Sequence, residues 1–152
     1  MALPSVFQEN IVNQLKERIE KVTPETKPIW GKMNATQMLA HCNVTYEYAF
    51  DERKDSPNFL VKIMLKKFVK PIVVSEQPYK KDSKTAPAFI ITDERNFDKE
   101  KQRLYTYMDN VLKKGTSFFE GKESVSFGVL NAIEWNNMFY KHLDHHLQQF
   151  GV

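Results

Sequence analysis

Four histidines, His41, His142, His145 and His146, offer most of the chemistry available to this chain, and three of them fall within five residues. A neutral imidazole can be a metal ligand, a proton carrier or a hydrogen-bonded core group, and its place on a helix helps to separate those roles. At about 100° per residue, His142 and His146 stand roughly 40° apart, on an arc shared with Trp135, Phe139 and Phe150. His145 lies on the edge of that arc, about 100° from His146. Asn137, Lys141, Asp144 and Gln148 fall on the far side. An i, i+4 pair can be aimed at one metal ion, whereas a neighbour about 100° away cannot easily join it. His41 repeats the pattern on a second segment, inside the arc that holds Met38, Cys42, Thr45 and Ala49. It lies about 10 Å past the start of its helix, and the His142/His146 pair about 9 Å before the end of theirs. If these helices are antiparallel neighbours, the three rings meet at one level. Each buried ring then needs partners for both nitrogens, either in a hydrogen-bonded core cluster or in a three-histidine metal centre.

Three neutral imidazoles on one side of a metal leave positions for water and substrate. Zinc, nickel and iron(II) all accept such a shell, which can activate a bound water or thiol. Hydrolysis also benefits from a nearby carboxylate base. Glu47 and Asp144 point away from their helices' apolar arcs, and no His-Glu-X-X-His stretch is present. That weakens hydrolysis and leaves room for an incoming thiol. His145, with Gln149 and Tyr48 behind it, is the candidate for proton transfer or for support of the ligands, against the simpler reading of a half-exposed helix residue. Cys42, the only cysteine, reads as a small buried hydrophobe. Trp135 and Phe139 read as core.

The elements that must position these groups read as four long amphipathic helices. The first opens at Ser5, with Gln8 completing a capping box, runs through Phe7, Ile11, Leu15, Ile19 and Val22, and stops at Pro24. The second starts at Asn34 with Gln37 as its partner. The third starts at Asn96, with Asp98 and Glu100 at the positive end of the helix dipole, and stops at Gly115. The fourth opens at Asn131 with Glu134 and runs nearly to the C-terminus. Ser56-Pro57 predicts the start of a short helix through Leu60, Ile63, Met64 and Phe68, ending before Pro71. Residues 71–92 predict extended loop. Residues 116–130 predict a loop over one end, with Phe118, Phe119 and Phe127 walling a pocket or capping the core. The pattern argues for an all-α, four-helix bundle in one domain, residues 1–152. The connection between the second and third helices is long enough to let them run parallel.

Composition narrows the function classes. At 41% hydrophobic and 27% charged the chain is too apolar for disorder, and no run approaches the ~20 apolar residues of a spanning helix. A net charge of +3 falls short of a nucleic-acid binder. A single cysteine excludes an internal disulfide and a multi-cysteine zinc site. The opening Met-Ala-Leu-Pro-Ser lacks a secretory leader, so a cytoplasmic location is expected, and the Asn-X-Thr triplets at Asn34 and Asn43 read as chance matches.

Residues 30–42, Trp-Gly-Lys-Met-Asn-Ala-Thr-Gln-Met-Leu-Ala-His-Cys, and 140–151, Tyr-Lys-His-Leu-Asp-His-His-Leu-Gln-Gln-Phe-Gly, resemble the DinB-like (YfiT-like) metalloenzyme superfamily. The likeness is greatest to a branch known as a domain of unknown function, and it spans nearly the whole chain. The resemblance implies a four-helix bundle with a long crossover between the second and third helices. It also implies a divalent metal, with His41 in the second-helix ligand position and His142 and His146 as the fourth-helix pair. Members include thiol-dependent transferases and isomerases, and many are labelled hydrolases. Where Arg-Gly usually follows the last histidine, this chain has Leu147-Gln148.

Three functions compete on this reading. One is a metal-dependent transferase or hydrolase acting on a small molecule, with a low-molecular-weight thiol as partner. Another is a non-catalytic domain binding a metal or small ligand. The third is a surface protein that sets Lys62, Lys66, Lys67 and Lys70, interleaved with Ile63, Met64 and Phe68, against acidic lipid or a partner. Exposed helix faces make a homodimer plausible.

Overall fold

The computed structural model describes residues 2–152. In chain order it contains α1 (Glu9–Glu20), α2 (Ala35–Ala49), α3 (Phe59–Met64), a π-helical turn over Leu65–Val69, α4 (Lys70–Val74), a 3-10 turn at Pro87–Phe89, α5 (Phe97–Phe119), a two-strand hairpin of β1 (Glu123–Ser124) and β2 (Gly128–Val129), and α6 (Ala132–Gln149). The all-α expectation holds, and four long helices supply most of the core.

Capping explains where most of these helices begin. Asn34 and Asn131 each accept from the backbone three residues on, and Gln37 and Glu134 return the bond, closing both expected capping boxes. Asn96 caps α5 through the Lys99 amide. The box expected at Ser5 does not form. Its hydroxyl serves Phe7 and its carbonyl Gln8 in a turn, and α1 starts only at Glu9 and ends at Glu20, ahead of Pro24.

Side-chain pairs fix the helix directions. Lys16 meets Asp109 at 2.6 Å and Glu20 meets Lys101 at 3.1 Å, so α1 and α5 are antiparallel. Asn43 meets Glu100, Glu47 meets Arg103 and Phe50 meets Phe118, so α2 and α5 run parallel. His41 lies against His146 and Tyr46 against Phe139, so α2 and α6 are antiparallel, the condition for the histidines to meet. Tyr46 is sandwiched between Tyr107 at 5.6 Å and Phe139 at 5.0 Å, pinning α2 between α5 and α6.

Several sequence expectations are corrected. The crossover helix is capped by Asn58 rather than Ser56. It continues past Pro71, so Ile72, Val73 and Val74 are helical and not extended. The residue four before Pro71 lies in the π-helical turn, a register shift that accommodates a proline without ending the helix. Gly115 breaks α5, with φ 70°, but the helix resumes and reaches Phe119. Phe119 is fully buried against Phe50, Trp135 and Phe139, so this end of the molecule is a capped core and not a pocket wall.

The side of α6 expected to face solvent is also covered. The crossover packs on it, leaving Asn137 and Lys141 buried. Asn137 donates to Val74 O at 2.9 Å, and Lys141 Nζ donates to Ile72 O and Ser75 O, both at 2.6 Å. These carbonyls lie at the end of α4, a position that a lysine suits. Burial pushes the Lys141 ammonium down to about 8. Lys141→Ala is expected to destabilise the fold by about 2 kcal/mol and to expose residues 59–75 to protease, read by urea unfolding and limited proteolysis.

Candidate metal centre

α2 and α6 bring His41, His142 and His146 together as a near-equilateral triangle, with ring centroids 4.9, 4.6 and 4.8 Å apart. One nitrogen from each lies within 4.8 Å of the others, so the group could hold a metal ion. For scale, nitrogens bound to one tetrahedral zinc at about 2.0–2.1 Å sit roughly 3.3 Å from each other. No carboxylate or thiolate joins the cluster among the described residues.

The outward nitrogens show how the rings are aimed. His41 Nδ1 lies 2.9 Å from Phe89 O, and a carbonyl only accepts, so Nδ1 carries the proton and Nε2 keeps its lone pair. His146 Nδ1 lies 2.8 Å from Gln149 Oε1, while Gln149 Nε2 donates to Trp30 O at 2.7 Å. The Trp30 carbonyl thereby fixes the amide's orientation and leaves the His146 Nε2 lone pair free as well. His142 Nδ1 lies 3.0 Å from Thr45 Oγ1, which can accept or donate. Two inward lone pairs are thus set by the backbone and one amide, and the third is available whenever Thr45 accepts.

Without a metal, His142 would donate from Nε2 to His41 Nε2, 2.9 Å away, and accept from Thr45. That closes two rings but gives His146 Nε2 no donor among the described residues. A metal ion would engage all three nitrogens. Burial keeps the rings neutral, the form a ligand requires. It lowers His41 against the opposing Phe89 carbonyl, lowers His142 well below its ordinary value with His146 and His41 adding to it, and takes His146 to about 3.

His145 stays outside the triangle. Its ring is 5.1 Å from that of His146 and meets the edges of Trp30 at 5.8 Å and Tyr79 at 5.7 Å. Burial lowers its pKa, against the pull of Asp144. The expected helpers behind it serve other groups: Gln149 holds His146, and Tyr48 donates to Asp55 at 2.6 Å. Glu47 is engaged by Arg103, and Asp144 by Arg18 and Gln148. Cys42 is fully buried, and burial pushes its thiol up, which removes it as a nucleophile.

Two contributions come from the connections. Phe89, in the 3-10 turn, gives its carbonyl to His41 and its ring to His41 and His142 at 5.6 and 6.1 Å. A cleft of about 220 Å³, lined by Lys32, Met33, Gln37, Thr85, Phe89, Ile90 and Ile91, shares that residue. Gly31, at φ 81°, lets the linker pass α6 so closely that a Cβ there would collide with Gln149 Nε2. Thr45 could have been found from sequence, one turn after His41 on the same arc. Phe89 carried no signal, because what it contributes is a main-chain carbonyl.

No curated protein and no solved structure matches the chain. Residues 9–151 match the family described as protein of unknown function (DUF1569), and the chain belongs to that family.

Proposed function

We propose that this protein is a metal-dependent enzyme of the DinB-like kind, with His41, His142 and His146 holding one divalent ion, zinc, nickel or iron(II), and a low-molecular-weight thiol as the activated group. The observation that carries the reading is the set of outward partners, Phe89 O, Thr45 Oγ1 and Gln149 Oε1, which turns three inward nitrogens toward one point. Imidazole ligands of metals are commonly oriented by such a second hydrogen bond. A bound ion would lower the pKa of a thiol or water beside it and polarise a carbonyl. The chain supplies the orientation, the aromatic walls Phe89, Trp30 and Tyr79, and in His145 a neutral imidazole to take the thiol proton. Thiol activation is favoured over hydrolysis because Glu47 and Asp144 are both committed to arginines.

Untagged protein reconstituted with cobalt(II), a coloured stand-in for zinc, tests this. One ion per chain and a visible spectrum that changes on adding thiol support the proposal. Failure to bind any of zinc, nickel, iron(II) or cobalt(II) would return the histidines to the core. A bound ion indifferent to thiols, with ester turnover, would move the reading to hydrolysis. Thr45→Val should lower metal affinity by about 10- to 100-fold while leaving all three ligands in place, measured by chelator competition.

A further inference from the structure

The crossover presents an unusual surface. Phe59, Leu60, Ile63, Met64, Phe68 and Ile72 are between 47% and 76% exposed, on a helical stretch that spans Phe59–Val74. Isolated exposed apolar residues are ordinary, but six large ones on a single helical segment mark a contact surface. Val129 and Ile133, also exposed, adjoin it, since Lys70 reaches both Val129 O and Glu134. Inward, Val73 and Val74 pack on the core and Asn137 and Lys141 hold the end of this stretch to α6 through its carbonyls, which leaves the six exposed apolar side chains outside that attachment.

Charge identifies the occupant. Residues 56–75 contain four lysines and no acidic residue. Lys70 is answered by Glu134, and Lys66 and Lys67 are exposed beside the apolar side chains. A second copy docked about a two-fold axis would set this basic, acid-free segment against itself, with like charges facing. An anionic lipid surface offers both things the face lacks: an apolar layer for the phenylalanine, leucine, isoleucine and methionine side chains, and negative headgroups for the lysines. No helix among the described residues is long and apolar enough to cross a membrane, so the contact would be interfacial.

We propose that the crossover is an interfacial docking element that binds anionic bilayers through Phe59, Leu60, Ile63, Met64, Phe68 and Ile72, with Lys66 and Lys67 at the headgroups. This stands independently of the metal centre and can be tested on the metal-free chain. Co-sedimentation would use vesicles of phosphatidylcholine alone and of phosphatidylcholine with roughly a third phosphatidylserine. Binding to the second set only, weakening with added salt, is expected. Lys66→Gln with Lys67→Gln should lower partitioning roughly thirtyfold, from the usual share of two lysines at an anionic surface. Met64→Ser with Phe68→Ser should lower it at least as far, with circular dichroism confirming that both double variants remain folded. Absence of binding to phosphatidylserine vesicles at low salt overturns the proposal. So does a concentration-dependent dimer abolished by Met64→Ser with Phe68→Ser in a chain that ignores vesicles, since the face would then be an interface between copies.

Discussion

Untagged protein is expected to carry about one divalent ion per chain, and His41→Ala and His142→Ala to carry none. Disturbing a group that merely orients a ligand costs about 10- to 100-fold in affinity, so removing a ligand should exceed the upper figure. The same experiment has a thermal readout. An ion present at about a thousand times its Kd adds roughly 4 kcal/mol, which for a chain of this size raises Tm by about 10 °C. Chelation should remove that increment from the parent chain and change nothing in either variant. Both variants shorten a side chain at the edge of the core and should retain helical circular dichroism, so a lost thermal response can be separated from a lost fold. Equal metal content in parent and variants would show that the ion sits elsewhere.

The triangle was legible because helix arithmetic is rigid. Once His142 and His146 share an arc and α2 runs antiparallel to α6, the meeting of three rings follows from rise and angle per residue. The capping boxes at Asn34 and Asn131 were equally readable, each depending on residues only three apart. The crossover was harder. Helical periodicity predicts a buried stripe, but this segment leaves six large apolar side chains in solvent and docks at its end, through Val73, Val74 and backbone carbonyls. The same docking buries Lys141 and Asn137, which a helical projection of α6 alone assigns to water. Phe89 eludes sequence reading for a related reason, since any residue type can supply the carbonyl that orients His41.

Glu100 shows what lies beyond local patterns, and its replacement should have a large effect on stability away from the histidine cluster. Its place in the first turn of α5 suggests only a helix-dipole role, yet it is buried at the seam with α2. There it accepts from Arg103 Nη1 at 2.8 Å, Arg95 Nη1 at 3.3 Å and Asn43 Nδ2 at 2.9 Å. Breaking a fully buried ion pair costs about 3–5 kcal/mol, but Arg103 and Arg95 are 34% and 32% exposed and keep other carboxylates. Discounting for that solvation, Glu100→Ala should cost about 2–3 kcal/mol. Glu100→Gln, which preserves shape and a bond to Asn43, should cost about 1 kcal/mol. Urea midpoints measure both, and equal losses would assign the whole effect to charge. Asn43 lies two residues beyond His41, about 200° around α2, so the seam and the histidine cluster occupy different faces of one helix. Metal affinity in Glu100→Gln should therefore stay within about threefold of the parent, since sites with no shared partner are usually additive. A larger loss would mean that α2 transmits strain from its α5 face to its histidine face, and that the two must be treated as one unit.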